Sequence, residues 1–226
     1  MTLPTPLIII NFKTYETGSD SHAEHLARVL ETTAKKNNAG VAIACQAADA
    51  FRLSKVTTIP LLAQHCDPDE FGPHTGANLM ETLRCNGCAG TLINHSERRV
   101  SLSHITSIIA KAKRIGFITV ACAKTASEAK KISMLRPDYL AIEPPQLIAG
   151  PVSISTGKPE LISGAVKAVG NRSIVLAGAG VRTAQDVRIS IERGAKGVIL
   201  SSQIMTSSNP GKALEELIWG LRGKQK

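Results

Sequence analysis

Short runs of β-branched and other apolar residues recur along the whole chain, and each is followed by a polar loop and a segment with helically spaced apolar residues. These runs predict eight strands, at Leu7–Asn11, Val41–Cys45, Leu61–Gln64, Ala89–Asn94, Ile118–Ala123, Tyr139–Ile142, Ile174–Ala177 and Gly197–Leu200. The intervening segments predict helices at 20–37, 49–57, 78–86, 102–115, 126–134, 159–169, 183–193 and 209–222. The strands are almost continuously apolar, which is typical of parallel strands covered on both faces.

The alternation of strands and helices predicts the architecture. Such alternation forms a parallel sheet, and eight units favour closure into a (β/α)8 barrel over an open sheet. Because the chain has 226 residues, each unit has about 28, close to the roughly 30 of a βαβ motif. We therefore expect residues 1–226 to form a single α/β domain, a (β/α)8 barrel with trimmed helices.

Composition excludes several classes of protein. Hydrophobic residues make up 43% and charged residues 20% of the chain, which is enough apolar material for a core and argues against disorder. The aliphatic runs are too short to cross a bilayer, and the first six residues do not resemble a secretory signal. We expect a cytoplasmic protein that is not bound to a membrane.

The net charge of +9 is compatible with nucleic acid, an anionic membrane or a small anionic substrate. Aromatic residues are only 3% of the chain, and the basic residues are dispersed rather than clustered with stacking rings. These features argue against nucleic acid as a partner.

The cysteines number five, an odd count that suits a disulfide framework poorly. We expect all five, Cys45, Cys66, Cys85, Cys88 and Cys122, to be buried thiols. Cys85 and Cys88 form a C-x-x-C motif, but no second pair and no closely spaced histidines follow it, so no metal site is expected there.

Chemically active side chains follow three of the predicted strands. Asn11 and Lys13 come at the end of the first strand, His95 after the fourth and Glu143 after the sixth. In a (β/α)8 barrel these strand ends open onto one face, so the side chains are expected to converge. A lone loop lysine is usually solvated and a lone histidine often structural, but a carboxylate at an apolar strand end suits a proton-accepting base.

Small residues follow the last two predicted strands. Gly178-Ala179-Gly180 comes after the seventh strand and Ser201-Ser202 after the eighth, where such barrels bind phosphate with backbone N–H groups. Thr183 stands where a dinucleotide-binding motif would have its third glycine. We expect Gly180, Ser201 and Ser202 to bind a phosphate group.

Four motifs in this order resemble those of the triosephosphate isomerase family, of the shorter archaeal kind. They are Asn11-Phe12-Lys13, Asn94-His95-Ser96-Glu97-Arg98-Arg99, Ala141-Ile142-Glu143-Pro144-Pro145-Gln146-Leu147-Ile148 and Gly178-Ala179-Gly180. The resemblance implies a TIM barrel that interconverts dihydroxyacetone phosphate and glyceraldehyde 3-phosphate in glycolysis and gluconeogenesis, without cofactor or metal. It also implies homodimers or homotetramers, and His74-Thr75-Gly76 resembles the interface loop of the family.

The same resemblance implies catalytic roles. Glu143 would remove a proton from carbon, neutral His95 would polarise the carbonyl group, and Lys13 with Asn11 would stabilise the developing negative charge. Ile148 would contact the substrate from the tip of a mobile lid, whose following residues Ala149-Gly150-Pro151 depart from the usual Gly-Thr-Gly. We further expect an ion pair between Lys13 and Glu97.

Three other functions stay open at this point. A different phosphosugar enzyme on the same barrel would need another acid–base set, such as paired carboxylates after the first two strands, where this chain has Asn11-Phe12-Lys13 and Cys45-Gln46. A basic nucleic-acid-binding module would show salt-dependent binding and no isomerase activity. A catalytically silent barrel would require His95 or Glu143 to be misdirected.

Overall fold

The computed structural model describes residues 2–144 and 153–222, and within them eight parallel strands close into a barrel in chain order. The strands are β1 (Leu7–Asn11), β2 (Gly40–Cys45), β3 (Leu61–Ala63), β4 (Cys88–Ile93), β5 (Ile118–Ala123), β6 (Tyr139–Ile142), β7 (Ile174–Ala177) and β8 (Gly197–Leu200). β8 pairs with β1 as well as with β7, which closes the sheet and confirms the predicted α/β barrel.

Helices follow the strands along the chain. They are α1 (Asp20–Lys36), α2 (Ala50–Ser54), α3 (Met80–Cys85), α4 (Leu102–Ile115), α5 (Ala126–Ser133), α6 (Ile154–Gly157), α7 (Pro159–Val169), α8 (Ala184–Glu192), α9 (Ser202–Met205) and α10 (Pro210–Leu221). Several have only four to six residues, as the short chain requires.

The two faces of each strand contribute to different cores. In β1, Leu7 and Ile9 belong to the cluster inside the barrel, whereas Ile8 and Ile10 pack in the cluster between strands and helices. All five residues of β1 are buried, as expected for a parallel strand covered on both faces. The barrel is therefore a packed core, and only its ends are open to ligands.

Helix caps place the loops that precede α4 and α8. Ser101 Oγ accepts a hydrogen bond from the backbone N–H of His104, which begins α4 directly after the β4 loop. Thr183 and Asp186 form a reciprocal capping box at the start of α8. The loops that follow β4 and β7 lie at the open end of the barrel, and these caps fix where each loop ends.

The structure differs from the sequence-based predictions in a few places. The strands and long helices agree to within one or two residues at their ends, where helices fray. The predicted helices 49–57 and 78–86 are shortened to α2 and α3, and the four-residue helices α6 and α9 were not predicted because they are too short to show a period.

The prediction for the cysteines was wrong at one position. Cys45, Cys66, Cys88 and Cys122 are buried, but Cys85 is exposed because it is the last residue of α3 and lies on the outward side of that helix. Across the described ranges, no helix combines the length and the hydropathy needed to span a bilayer.

Candidate active site

The carboxyl ends of the strands enclose a cavity that brings together the side chains predicted from separate parts of the sequence. Its lining includes the predicted residues Asn11, Lys13, His95, Glu143, Gly180, Ser201 and Ser202. The other lining residues are Tyr15, Ala179, Val181, Arg182, Ile199 and Leu200. The predicted contact Ile148 lies outside the described residues.

Lys13 is held in a backbone conformation that residues other than glycine seldom adopt. Its φ is +48°, and its N–H donates to Oδ1 of Asn11 at 3.0 Å. The Nε2 of Gln64 donates to the carbonyl oxygen of Lys13 at 2.9 Å. Because such strain persists only when neighbours compensate for it, Asn11 and Gln64 fix where the lysine side chain begins.

The Lys13 amine lies 2.5 Å from Oε1 of Glu97, which confirms the expected ion pair. Only 22% of the lysine side chain is exposed, against 55% of Glu97. The amine therefore lies in the cavity wall and not out in solvent, with a carboxylate on its outer side.

His95 is oriented by the backbone of its own loop. The backbone N–H of Glu97 donates to Nδ1 of His95 at 3.3 Å, so in the neutral ring the proton is on Nε2. Nε2 lies 3.7 Å from Oε1 of Glu143. The ring thus presents a hydrogen-bond donor to the cavity next to a carboxylate.

Asn94 holds the loop that carries His95. It adopts φ +62°, its Nδ2 donates to the carbonyl of Cys122 at 2.9 Å, and its Oδ1 accepts from the N–H of Val100 at 3.2 Å. These bonds join the end of β4 to β5 and to the approach of α4. The histidine is therefore attached to a rigid segment.

Glu143 follows β6 directly and is only 5% exposed. Its backbone N–H donates to the carbonyl of Ala123 at 2.8 Å, which continues the β5–β6 pairing. Its Oε2 is buried and has no hydrogen-bond partner among the described residues. The buried carboxylate therefore lines the cavity with one oxygen that no donor among the described residues binds.

Gly178 and Cys122 lie next to this carboxylate, and sequence reasoning did not identify either of them as part of the site. A Cβ at Gly178 would lie 2.5 Å from Cγ of Glu143, so only glycine leaves room for the glutamate. Burial, and after it the charge of Glu143, raise the pKa of the Cys122 thiol well above its ordinary value. Cys122 is therefore a neutral neighbour. Gly178 belongs to the Gly178-Ala179-Gly180 motif, which the sequence connected only with phosphate binding.

The opposite wall of the cavity is made by the ends of β7 and β8. Ala179 and Gly180 are consecutive left-handed residues, with φ +71° and +73°. Ser201 precedes α9, and its Oγ is buried without a hydrogen-bond partner in the part of the chain described here. A small anion would supply the missing acceptor for this hydroxyl.

A second cavity adjoins the first on the far side of Lys13 and His95. Its lining residues include Thr14, Gln64, His65, Glu97 and Arg98. Gln64 follows β3 directly, so the strand-end rule that identified the other site residues could have found it.

The loop between β3 and α3 projects beside this second cavity. Residues 71–76 are all exposed, Phe71 by 73%. At the base of the loop, the N–H of Asp67 donates to the carbonyl of Asn78 at 3.0 Å, and the N–H of Asn78 donates to Oδ2 of Asp67 at 2.8 Å. Lys111 reinforces it with bonds to the carbonyl of Asp69 and to Glu81.

Comparison with known proteins gives a consistent family. The family model described as "Triosephosphate isomerase" matches residues 6–218. The triosephosphate isomerase of Methanobacterium bryantii is 39% identical over 217 residues, which cover 95% of this chain and 96% of that protein. The triosephosphate isomerase of Methanocaldococcus jannaschii is 37% identical over 215 residues, covering 94% and 98%.

Among solved structures, the triosephosphate isomerase from Bartonella henselae superimposes with a TM-score of 0.74. The match covers 94% of this chain and 98% of that one, at 16% sequence identity. At this identity the likeness concerns the fold alone, and it agrees with the closed eight-stranded barrel described above.

Proposed function

The chain belongs to the triosephosphate isomerase family, and from that premise we propose how its own residues carry out the reaction. The enzyme interconverts dihydroxyacetone phosphate and D-glyceraldehyde 3-phosphate, an aldose–ketose isomerisation that belongs to glycolysis and gluconeogenesis. The observation that carries the proposal is the distance of 3.7 Å between Nε2 of His95 and Oε1 of Glu143 in a cavity also lined by Lys13.

Glu143 is the base that moves the proton between the two carbons. Its carboxylate, which lines the cavity, accepts the proton from the carbon beside the carbonyl group and returns it to the neighbouring carbon, so no proton is lost overall. The pairing of a carboxylate base with a neutral imidazole is the established pattern of this family. In this chain, the space left by Gly178 allows the carboxylate to stand there.

His95 acts on the substrate oxygens. Because Nδ1 accepts the N–H of Glu97, Nε2 carries the proton and donates it toward the carbonyl oxygen. Once Nε2 has given this proton to one oxygen, it takes a proton from the hydroxyl group on the neighbouring carbon, so the ring returns to its neutral form and serves both oxygens of the enediolate in turn. Its position on the rigid β4 loop keeps the donor in place during the reaction.

Lys13 and Asn11 stabilise the negative charge that develops on those oxygens. Fixed cationic and amide donors in a water-poor cavity are most effective when they need not reorganise during the reaction. The hydrogen bonds of the Lys13 backbone to Asn11 and Gln64 provide that fixation. The positive charge of Lys13 also attracts the phosphorylated substrate.

The phosphate group is bound by Gly180, Ser201 and Ser202, with Ile148 covering the substrate from the loop after β6. The support for the first three is their place in the cavity wall opposite Glu143 and the unpartnered Oγ of Ser201. For Ile148 the support is the sequence motif alone, because that residue lies outside the described ranges.

An assay of purified protein with D-glyceraldehyde 3-phosphate tests the proposal. The wild-type chain should isomerise the substrate, and Glu143→Gln should lower kcat by at least about a hundred-fold, because the amide cannot accept the proton. Unchanged circular dichroism would show that the variant is folded. A folded Glu143→Gln protein with near wild-type kcat would refute the assigned role.

We also propose that the enzyme assembles as a homodimer or homotetramer through the loop between β3 and α3. The support is the exposed 71–76 segment beside the second cavity, which is lined by Thr14, Glu97 and Arg98. Thr75→Arg should lower the mass measured by sedimentation equilibrium, whereas Thr32→Arg, at an exposed position of α1, should not. A wild-type monomer would contradict the assembly.

Two further proposals concern the whole chain. We propose that residues 1–226 form a single domain, since β8 pairs with β1 and the first and last strands are neighbours. One cooperative unfolding transition is expected in calorimetry. We propose a cytoplasmic location from the reaction itself, which consumes and supplies glycolytic intermediates, and cell fractionation would test it.

A further inference from the structure

Three side chains that the reaction does not use meet at the base of the loop between β3 and α3. His65 and Asp67 belong to this loop, and His104 lies in the first turn of α4. One ligand atom from each lies within 4.8 Å of the others. His104 is about forty positions after the other two residues in the sequence, so only the fold brings it to them.

The distances are close to those of a metal site. Nε2 of His65 lies 3.0 Å and Nε2 of His104 lies 3.8 Å from the same Oδ1 of Asp67. In a tetrahedral zinc site with bonds of about 2.1 Å, neighbouring ligand atoms are about 3.4 Å apart. The two observed distances lie on either side of that value, so each needs a shift of about 0.4 Å, and the two imidazole nitrogens lie within 4.8 Å of each other.

The carboxylate of Asp67 is oriented by its neighbours. Its Oδ2 accepts the N–H of Asn78 at 2.8 Å, which leaves Oδ1 for the two histidines. The imidazole rings of His65 and His104 are stacked nearly parallel, at 6° with centroids 6.1 Å apart, so one ring must tilt before both Nε2 atoms direct their lone pairs at the same ion. A hydrogen bond that fixes a metal-ligating carboxylate from behind is typical of metal sites.

A hydrogen bond between His65 and Asp67 explains only part of the cluster. Nε2 of His104 is buried and has no hydrogen-bond partner within the described ranges, and its 3.8 Å separation from Asp67 is too long for one. Buried polar atoms are rarely left unsatisfied. A cation between the three ligand atoms would satisfy this nitrogen.

We propose that His65, Asp67 and His104 bind one divalent transition-metal ion of the zinc type, with water in the remaining position. Two imidazoles and a carboxylate suit Zn²⁺, Co²⁺ or Ni²⁺ better than Mg²⁺ or Ca²⁺. The cation of Arg98, in the same cavity wall as His65, opposes the bound ion. We therefore expect weaker binding than in a four-ligand structural site.

The bound ion would connect the base of the β3–α3 loop to α4. Asp67 already pairs with Asn78 across the base of this loop, so the metal would add a third attachment. This connection stabilises the loop without entering the catalytic cavity. Its expected effects are a higher melting temperature and unchanged chemistry at Glu143.

Binding of Co²⁺ to the chelator-treated chain of 226 residues tests the site. The visible absorption bands of cobalt should show one ion per chain in a nitrogen and oxygen environment, without a thiolate charge-transfer band. Zn²⁺ should displace the cobalt and raise the melting temperature. Asp67→Asn and His104→Gln should each weaken binding by at least about ten-fold.

Two control variants separate this site from other metal-binding groups. His25→Ala removes an exposed histidine of α1 and Cys85→Ser removes the exposed thiol, and both should bind cobalt as the wild type does. Circular dichroism checks that each variant is folded. The proposal is overturned if cobalt does not bind, if binding disappears in Cys85→Ser, or if folded Asp67→Asn and His104→Gln bind cobalt unchanged.

Discussion

Gly178 lies directly against the side chain of Glu143. A Cβ at position 178 would stand 2.5 Å from Cγ and 2.8 Å from Oε1 of the glutamate, and 2.9 Å from Cγ2 of Ile199. The glycine at the end of β7 is therefore required by the carboxylate at the end of β6. This contact links the phosphate side of the cavity to the proposed base.

Substituting Gly178 should disturb Glu143 more than it disturbs the backbone. The φ of Gly178 is outside the left-handed region, so alanine is tolerated by the main chain. We expect Gly178→Ala to lower kcat by at least about ten-fold, because a base misplaced by about 1 Å can cost a hundred-fold. Steady-state kinetics with D-glyceraldehyde 3-phosphate measures this.

The matched control is Gly164→Ala on α7, where the added methyl group meets open space. That variant should keep full activity and be slightly more stable, since alanine is the better helix residue by about 1 kcal/mol. Wild-type kcat in a folded Gly178→Ala protein would contradict the steric account.

Removal of the Lys13 amine should affect binding and catalysis together. The amine is the cation of the cavity wall, and the substrate and the enediolate are both anionic. Lys13→Ala should raise KM and lower kcat, with kcat/KM falling by at least about a hundred-fold. Lys130→Ala, at an exposed position of α5, is the control. Unchanged kinetic constants in Lys13→Ala would remove this residue from the site.

The Ser201 hydroxyl should contribute to affinity for phosphate but not to proton transfer. Because its Oγ is buried at the cavity and lacks a partner elsewhere in the described structure, Ser201→Ala should raise KM about three- to ten-fold at nearly constant kcat, as loss of one hydrogen bond implies. Inhibition by inorganic phosphate should weaken in parallel. Exposed Ser208→Ala should change neither quantity, and a Ser201→Ala enzyme that binds phosphate normally would contradict the assignment.

Glu31 should make stability depend on pH at the acidic end. Its bonds to Lys35 and Thr58 lower the pKa of this carboxyl from 4.5 to about 2. Because the folded pKa is the lower one, the stabilisation is complete above about pH 4.5 and is lost as the pH falls toward 2.

Glu31→Gln should therefore lower the free energy of unfolding at pH 7 by about 1 kcal/mol, or the melting temperature by roughly 2–4 °C. Near pH 2 the difference should disappear. Thermal denaturation of both proteins from pH 7 to 2 measures it. A difference that persists or grows at low pH would show that the ion pair is not its cause.

The position of a residue at the end of a strand predicts that it lies at the cavity, but it does not predict which side chains it contacts. Lys13, His95 and Glu143 could be predicted because each lies within two residues of the end of an apolar strand, and the barrel places all these strand ends on one face. Gln64 follows β3 in the same way, yet its role in holding the Lys13 backbone depends on a side-chain bond that no sequence pattern encodes.

The local pattern of apolar residues was enough to determine the eight strands, the long helices and which polar side chains stand at the strand ends. That pattern reports which face of each element is buried, and it has the short period of the element itself. The tertiary structure alone decided which residues from different elements touch, such as Gly178 with Glu143 or His65 with His104. Those contacts depend on strand register and side-chain packing across the closed barrel, which no single segment contains. The exposure of Cys85 follows from the same packing.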